Sequence, residues 1–237
     1  TDMTIKRLMN LQHPKLKILE QKHQGPAMAR NYGAKQSKGK ILVFVDADMT
    51  FDSKFLQNLV KPIEKNITKG TFSKDEYVAN WDNAWARCWN INENLPEKRR
   101  LPSNYPDHQK VFRAILKSEF DTVEGFSKGG YTDDYTLSEK LGYEAELAPG
   151  AVFYHKNPET VTEIYKQAKW VGKREYKLGI IGYAVALVRS SFPVSLVIGI
   201  YKSILHMNLN FIIFKLVYDF GIFTGILEML FTGKTAK

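Results

Sequence analysis

The apolar positions of this chain change character three times between its ends. Ile5 to Leu11 are spaced as on a short amphipathic helix that stops before Pro14, and Lys17 to Leu19 is expected to be a strand. After the Gly25-Pro26 break, Ala27 to Gln36 has helical composition and ends at the stop signal Ser37-Lys38-Gly39. Ile41 to Val45 is then a continuous β-branched and aromatic run, the pattern of a strand buried on both faces as in a parallel sheet. Asp52 or Ser53 can cap a following helix from Lys54 to Glu64. Helix, strand and helix in this order predict an α/β domain.

The middle of the chain is less regular. Asp82 to Asn90 reads as a helix, and Trp81, Trp85 and Trp89 recur on one face, as a core stripe or a functional one. Leu95 to Gln109 reads as loop, Phe112 to Leu116 as an apolar element, and Gly125 to Gly130 as a flexible loop. Tyr135 to Leu141 is helical in pattern and stopped by Gly142, and Thr160 to Lys177 forms a strongly basic helix. From Leu178 onward the chain is almost uncharged, with Arg189 and Lys202 as the first interruptions. Two membrane-inserted or re-entrant helices, at 178–200 and 208–231, fit this pattern better than a soluble subdomain. On the second, Lys215 and Asp219 stand one turn apart and can neutralise each other.

Charge sharpens this picture. The net charge of the 237 residues is +9, and the first forty carry nine Lys or Arg against Asp2 and Glu20. That excess suits a nucleic acid, an anionic membrane surface or a nucleotide diphosphate, or it is simply a solvated basic surface. A single cysteine, Cys88, rules out an intrachain disulfide and a cysteine-based zinc cluster, so a reducing compartment is the default. Thr1 to Asn10 is polar and charged, unlike a secretory signal.

The strand pattern runs directly into Asp46-Ala47-Asp48. Two carboxylates at i, i+2 beyond a buried strand lie where α/β sheets bind ligands. Hard oxygen ligands of this kind hold Mg²⁺ or Mn²⁺ against a diphosphate, although such pairs also occur as simple turn formers. The preceding Gly25-Pro26-Ala27-Met28-Ala29-Arg30-Asn31-Tyr32-Gly33 resembles the G-x-x-x-A-R-N-x-G stretch of family-2 glycosyltransferases. Thr1-Asp2-Met3-Thr4 is similar to the end of that family's D-G-S-T-D-x-T sequence. Gly129-Gly130-Tyr131-Thr132-Asp133-Asp134 resembles its acceptor loop and E-D motif, with Asp133 in place of the usual Glu. Ala148 to His155 is similar to the strand that carries a late histidine.

This resemblance, over residues 1–177, implies a GT-A nucleotide-sugar-binding, Rossmann-like α/β domain. It implies that Asp46 and Asp48 bind metal and donor diphosphate, with His155 completing the metal shell. Gly25, Arg30 and Asn31 would lie against the donor, and Asp134, beside Asp133, would be the catalytic base of an inverting transfer. The family's Q-x-x-R-W motif has only Lys166-Gln167-Ala168-Lys169-Trp170 as its counterpart, so Lys169 and Trp170 are donor-side candidates. Each assignment has a plainer alternative: a helix-surface ion pair for Arg30, a helix-start acidic pair for Asp133-Asp134 and a structural role for His155. No counterpart of the family's first strand and D-D-G-S turn stands before Thr1, so the domain is expected to be N-terminally incomplete.

The expected organisation is a partial GT-A domain over 1–157, a basic amphipathic interface helix over 158–177 and a hydrophobic helical membrane region over 178–237. Lys234 and Lys237 beyond the last helix, with only Lys202 between the two, give a hairpin whose ends are cytoplasmic. The expected partners are a nucleotide-sugar donor, a lipid-linked or saccharide acceptor and membrane lipids, with no nucleic acid. A polysaccharide synthase and an inactive membrane- or partner-binding fragment are the competing readings.

Overall fold

The computed structural model describes residues 3–11, 13–128 and 133–233. Along them run α1 (Thr4–Asn10), α2 (Pro26–Gln36), β1 (Ile41–Val43), β2 (Met49–Phe51), α3 (Phe55–Glu64), β3 (Gly70–Phe72), β4 (Glu76–Val78) and α4 (Ala84–Glu93). There follow β5 (His108–Gln109), β6 (Ala114–Leu116), α5 (Lys117–Thr122), a 3₁₀ turn (Asp133–Tyr135), α6 (Thr136–Leu141), β7 (Ala145–Leu147) and β8 (Phe153–His155). Four helices close the chain: α7 (Val161–Gly172), α8 (Gly179–Arg189), α9 (Phe192–Leu205) and α10 (Asn210–Thr232). Residues 17–19, expected as a strand, are not in one, and α1 buries none of its residues.

A five-stranded sheet has the order β1-β6-β3-β7-β5, and a three-stranded sheet the order β2-β8-β4. In β1, Leu42 joins a cluster with Ala27 and Ala34 of α2, Ile115 of β6 and Leu137 of α6. Its neighbours Ile41 and Val43 pack on the other side, against the cluster of Phe55, Leu59 and Ile63 from α3. Both faces of the strand are therefore covered by helices, as the continuous apolar run predicts. The neighbour is not parallel, however: β6 pairs with β1 antiparallel, Leu42 opposite Ile115. An apolar run records that both faces are covered and says nothing of the partner's direction.

The third cluster joins the α/β domain to the end of the chain. Cys88 of α4 and Ile164 of α7 are buried with Phe211 and Phe214 of α10, and Trp85 and Trp89 pack around them. Trp89 meets Phe214 and Tyr218 edge-on, at 6.1 and 5.4 Å between ring centroids. These two tryptophans are thus core. The helix expected over 178–200 is broken into α8 and α9, bent by 60°. Ser191 begins α9 and Pro193, which has no N–H to donate, stands in its first turn. Lys215 and Asp219 pair at 2.8 Å, and the other Asp219 oxygen accepts a hydrogen bond from Ser195 Oγ at 2.6 Å. Lys202, expected in the connection between helices, lies in α9 and donates to Ile91 O and Asn94 Oδ1 at the end of α4.

Helix α10 rests on α7 through small residues. A Cβ added at Gly225 would lie 2.2 Å from the Lys169 carbonyl oxygen, and one at Gly172 would lie 2.5 Å from that of Ile222. At Gly221 it would lie 2.7 Å from Ala168 Cβ. Spacing small residues four apart lets two helix backbones approach this closely. Gly225→Val is expected to destabilise the protein by about 1–3 kcal/mol, the usual range for overpacking a tight contact. Thermal melting in one detergent checks this, and an unchanged midpoint would contradict the close seam.

Candidate functional site

Strand register builds the site. The Asp46-Ala47-Asp48 segment crosses from β1 of the larger sheet to β2 of the smaller one. Because β2 pairs antiparallel with β8, Met49 stands opposite His155. That brings Asp48 Oδ1 to 3.2 Å from His155 Nε2. The ring is held from behind, since Nδ1 lies 2.6 Å from Glu76 Oε1 on β4. Burial opposes ionisation of Glu76, but the hydrogen bond from His155 and the charge of Arg100 outweigh it and hold its carboxyl below the ordinary value. Arg100 Nε lies 2.9 Å from the same Glu76 oxygen.

A carboxylate that fixes one imidazole nitrogen leaves the other turned toward a ligand, the usual support for a metal-binding histidine. The Asp48 side chain is 74% exposed, so its oxygens are open to solvent. Among the described residues no group of three or more His, Cys, Asp or Glu forms a metal-holding cluster. One carboxylate and one imidazole fit Mg²⁺ or Mn²⁺ only as a partial shell, completed by phosphate oxygens and water, which is how such ions are commonly held in phosphate sites.

Beside this pair lies a network of two arginines and three aspartates. Antiparallel pairing sets the residue entering β6 next to the end of β1: Phe44 N donates to Arg113 O at 2.9 Å. From there Arg113 Nη1 reaches Asp46 Oδ2 at 3.0 Å. Arg30, on α2, reaches the other Asp46 oxygen at 3.1 Å. It also pairs closely with Asp134 and lies 3.8 Å from Asp133 Oδ1. Burial works against an ionised Asp46, but Arg113 and Arg30 outweigh it and keep its carboxyl below the ordinary value. For Asp134 the balance is reversed. Burial, assisted by the charges of Asp133 and Asp46, outweighs Arg30 and raises its carboxyl above the ordinary value.

Each residue singled out in the sequence has definite partners in the fold. Asp46, expected beside the metal, has both oxygens on arginines, whereas Asp48 faces His155. Asp133 is buried, and its Oδ2 accepts the Ala27 N–H at 3.0 Å. It thus caps the start of α2 from 106 residues away, using a helix N-terminus that otherwise attracts an anion. Of the acidic pair, Asp133 is therefore the buried member and Asp134 the more accessible one. Gly25, at φ +93°, sets the entry to that helix, a backbone region that glycine tolerates best.

Asn31, expected against the donor, has both ends of its amide on the Phe126 backbone, at 2.8 and 2.9 Å. Lys169 is paired with Glu228 of α10 at 2.8 Å, and Trp170 is its neighbour on α7. The Gly129-Gly130-Tyr131-Thr132 part of the acceptor-loop motif, with Thr1-Asp2, falls outside the described residues. Two side chains of the site were not among the sequence candidates. Arg113 had one signal, a lone cation inside the apolar Phe112 to Leu116 run, and Glu76 had none.

No curated protein matches this chain. Among solved structures it is similar to the mannosyltransferase PcManGT from Pyrobaculum calidifontis, determined in complex with GDP-Man and Mn²⁺, at 18% identity and a TM-score of 0.47. The alignment covers 99% of this chain and 64% of that one, so the chain spans less than two thirds of its length. The model of one family, Glycosyl transferase family 2, matches residues 1–123, more than half of the chain. With Asp46-Ala47-Asp48 just beyond the helix-covered edge strand β1 of its α/β domain, this chain belongs to glycosyl transferase family 2.

Proposed function

We propose that the protein moves a sugar from a nucleotide-sugar donor to a lipid-linked acceptor, with inversion at the anomeric carbon. Residues 1–157 form the catalytic domain in this reading, 158–177 an interface segment and 178–237 the membrane region. The helix expected over Thr160 to Lys177 is α7, which ends at Gly172, so Lys173, Arg174 and Lys177 lie beyond it. The observation that carries it is the pairing of Asp48 with a Glu76-supported His155 beside the Arg30–Asp46–Arg113 network. Asp48 and His155 would hold Mg²⁺ or Mn²⁺, which neutralises charge on the departing diphosphate. Arg30 and Arg113 present planar, permanently charged forks suited to phosphate oxygens or to a ribose held by Asp46.

Asp134 would take the acceptor hydroxyl's proton while that oxygen attacks the anomeric carbon. A single displacement needs one base and no glycosyl-enzyme intermediate. Before donor binds, Arg30 is engaged with both Asp46 and Asp134. A diphosphate competing for that guanidinium would release Asp134 for the acceptor. The test is transfer from a panel of labelled nucleotide sugars to membrane lipid extracts, with Mn²⁺ or with a chelator. We expect product from at least one donor and its loss with the chelator; no transfer from any donor would overturn the reading.

The same reading sets the protein on the cytoplasmic face of a membrane. Among the described residues α10 is long and apolar enough to cross one, while α8 and α9 pass only as a bent pair. Ile180, Val188, Phe192, Val197 and Ile204 are all more than 60% exposed, a larger bare apolar surface than soluble proteins usually show. The protein is therefore expected to stay with membranes through high salt and carbonate washes. Salt screens the cations of α7 and of the segment just beyond it, and leaves apolar burial intact. Complete release by salt alone would reduce the attachment to electrostatics.

A further inference from the structure

A cavity of about 550 Å³ opens between the ends of α4 and α7, the length of α8 and the middle of α10. It is remote from the aspartates of the candidate site. The start of α4 lies near His155, since Ala79 N donates to His155 O and Asn83 Nδ2 to Glu159 O. The cavity instead touches Asn92, Glu93 and Asn94 at the far end of that helix, about 15 Å along its axis at 1.5 Å per residue.

Its lining combines two chemistries. Arg174, Lys177 and Arg189 converge on it from the end of α7 and the end of α8. Among the described residues none of these three has a carboxylate partner, whereas Lys215, also in the lining, is already paired with Asp219. Glu93 is the remaining carboxylate, so the unpaired charge of the lining is net positive. The wall between the cations is apolar, formed by Leu178, Val185 and Ile198. It continues onto the exposed face of α8, where Ile181 and Val188 are bare.

The geometry points to a binding site for an anionic phospholipid, separate from the aspartates of the candidate site. The phosphate is held by Arg174, Lys177 and Arg189, and an acyl chain lies against Val185 and Ile198. A free phosphate would find the charges but leave the apolar wall bare, and a zwitterionic headgroup would bring its own cation against them. Guanidinium forks suit phosphate oxygens, and desolvation by the apolar wall strengthens the pairing. Such a lipid would bridge the end of the interface helix to the α8–α9 pair and fix the depth at which the catalytic domain sits. The inference rests on the membrane reading of α8 to α10, which the carbonate wash tests separately. A protein that stays in membranes but shows no headgroup preference loses only this site.

The experiment is native mass spectrometry of the full chain in a mild non-ionic detergent. The probes are dioctanoyl phosphatidylglycerol, dioctanoyl phosphatidylcholine and inorganic phosphate. We expect retention of the anionic lipid over the zwitterionic one by roughly tenfold, the worth of one charge-assisted contact, and no retained inorganic phosphate. The double variant Lys177→Gln/Arg189→Gln should lose that preference. Lys38→Gln/Lys40→Gln, which removes the same charge from an exposed stretch outside the cavity lining, should keep it. Equal retention of the two lipids, equal loss in the two double variants, or retention of inorganic phosphate alone would each overturn the assignment. The headgroup comparison in the unaltered protein decides even if a variant fails to fold.

Discussion

Asp134→Asn is expected to lower turnover by roughly 10²–10⁴-fold, the usual worth of a general base, while nucleotide-diphosphate binding stays within about twofold. Asparagine keeps the shape and a hydrogen-bond acceptor for Arg30 but cannot take a proton. The pH profile adds an independent check. Burial together with Asp133 and Asp46 raises the Asp134 carboxyl, so its basic form is lost at a higher pH than for an ordinary aspartate. The acid limb of kcat/KM should accordingly lie above the unperturbed value of 3.8, and the variant's residual rate should lack that limb. The sign for stability is opposite: the proton favours the fold in acid, and that contribution is lost as the pH rises through the raised value. Full activity in the variant would point to an acceptor that is already ionised, such as a phosphate, or to another base.

Asp48→Ala should remove metal-dependent binding of nucleotide diphosphate, with a loss of at least about 10²-fold, at the upper end of what second-shell changes alone produce. Without that carboxylate the site retains a single imidazole, which suits neither Mg²⁺ nor Mn²⁺ as a lone anchor. Calorimetry with nucleoside diphosphate, in Mn²⁺ and in chelator, separates the effects: the variant should bind as weakly in Mn²⁺ as the parent does in chelator. Glu76→Gln is the informative companion, because it leaves both proposed ligands in place and disturbs only the His155 ring. Affinity in Asp48→Ala that still responds to Mn²⁺ would remove Asp48 from the metal site.

Much of this arrangement was legible in the sequence because it is local. The strand at Ile41 to Val43, the helices on either side and the carboxylates beyond the strand follow from apolar spacing and a few turn residues. His155 was legible through its motif. Its tie to Glu76 was not, because that contact depends on β4 and β8 lying parallel, 79 residues apart. Arg113 is similar: only the antiparallel pairing of β1 with β6 brings it to Asp46. Asp133 and Asp134 look alike in sequence, and the hydrogen bond that Asp133 accepts from the start of α2 sets their surroundings apart. Asn31 and Lys169 went the other way, since their motif positions gave no hint of partners in Phe126 and Glu228. The break between α8 and α9 was signalled by Pro193, which the apolar composition around it masked.

The seam between α4, α7 and α10 carries a consequence for how the protein is made. Trp89 and Cys88 leave the ribosome more than a hundred residues before the helix that covers them: Asn208 meets Cys88 across 120 positions and Lys215 meets Asn92 across 123. Until α10 emerges, the α/β part of the chain displays an open aromatic face, and bare surface of that kind is what holdase chaperones bind and what drives aggregation. Since α10 follows the apolar α8 and α9 in the chain, those two helices must find lipid, or a chaperone, before the covering helix is available. In the membrane reading proposed above, delivery to the bilayer then becomes a step in the folding of the α/β domain, and a ribosome stalled short of residue 210 would hold that domain with its aromatic face still open.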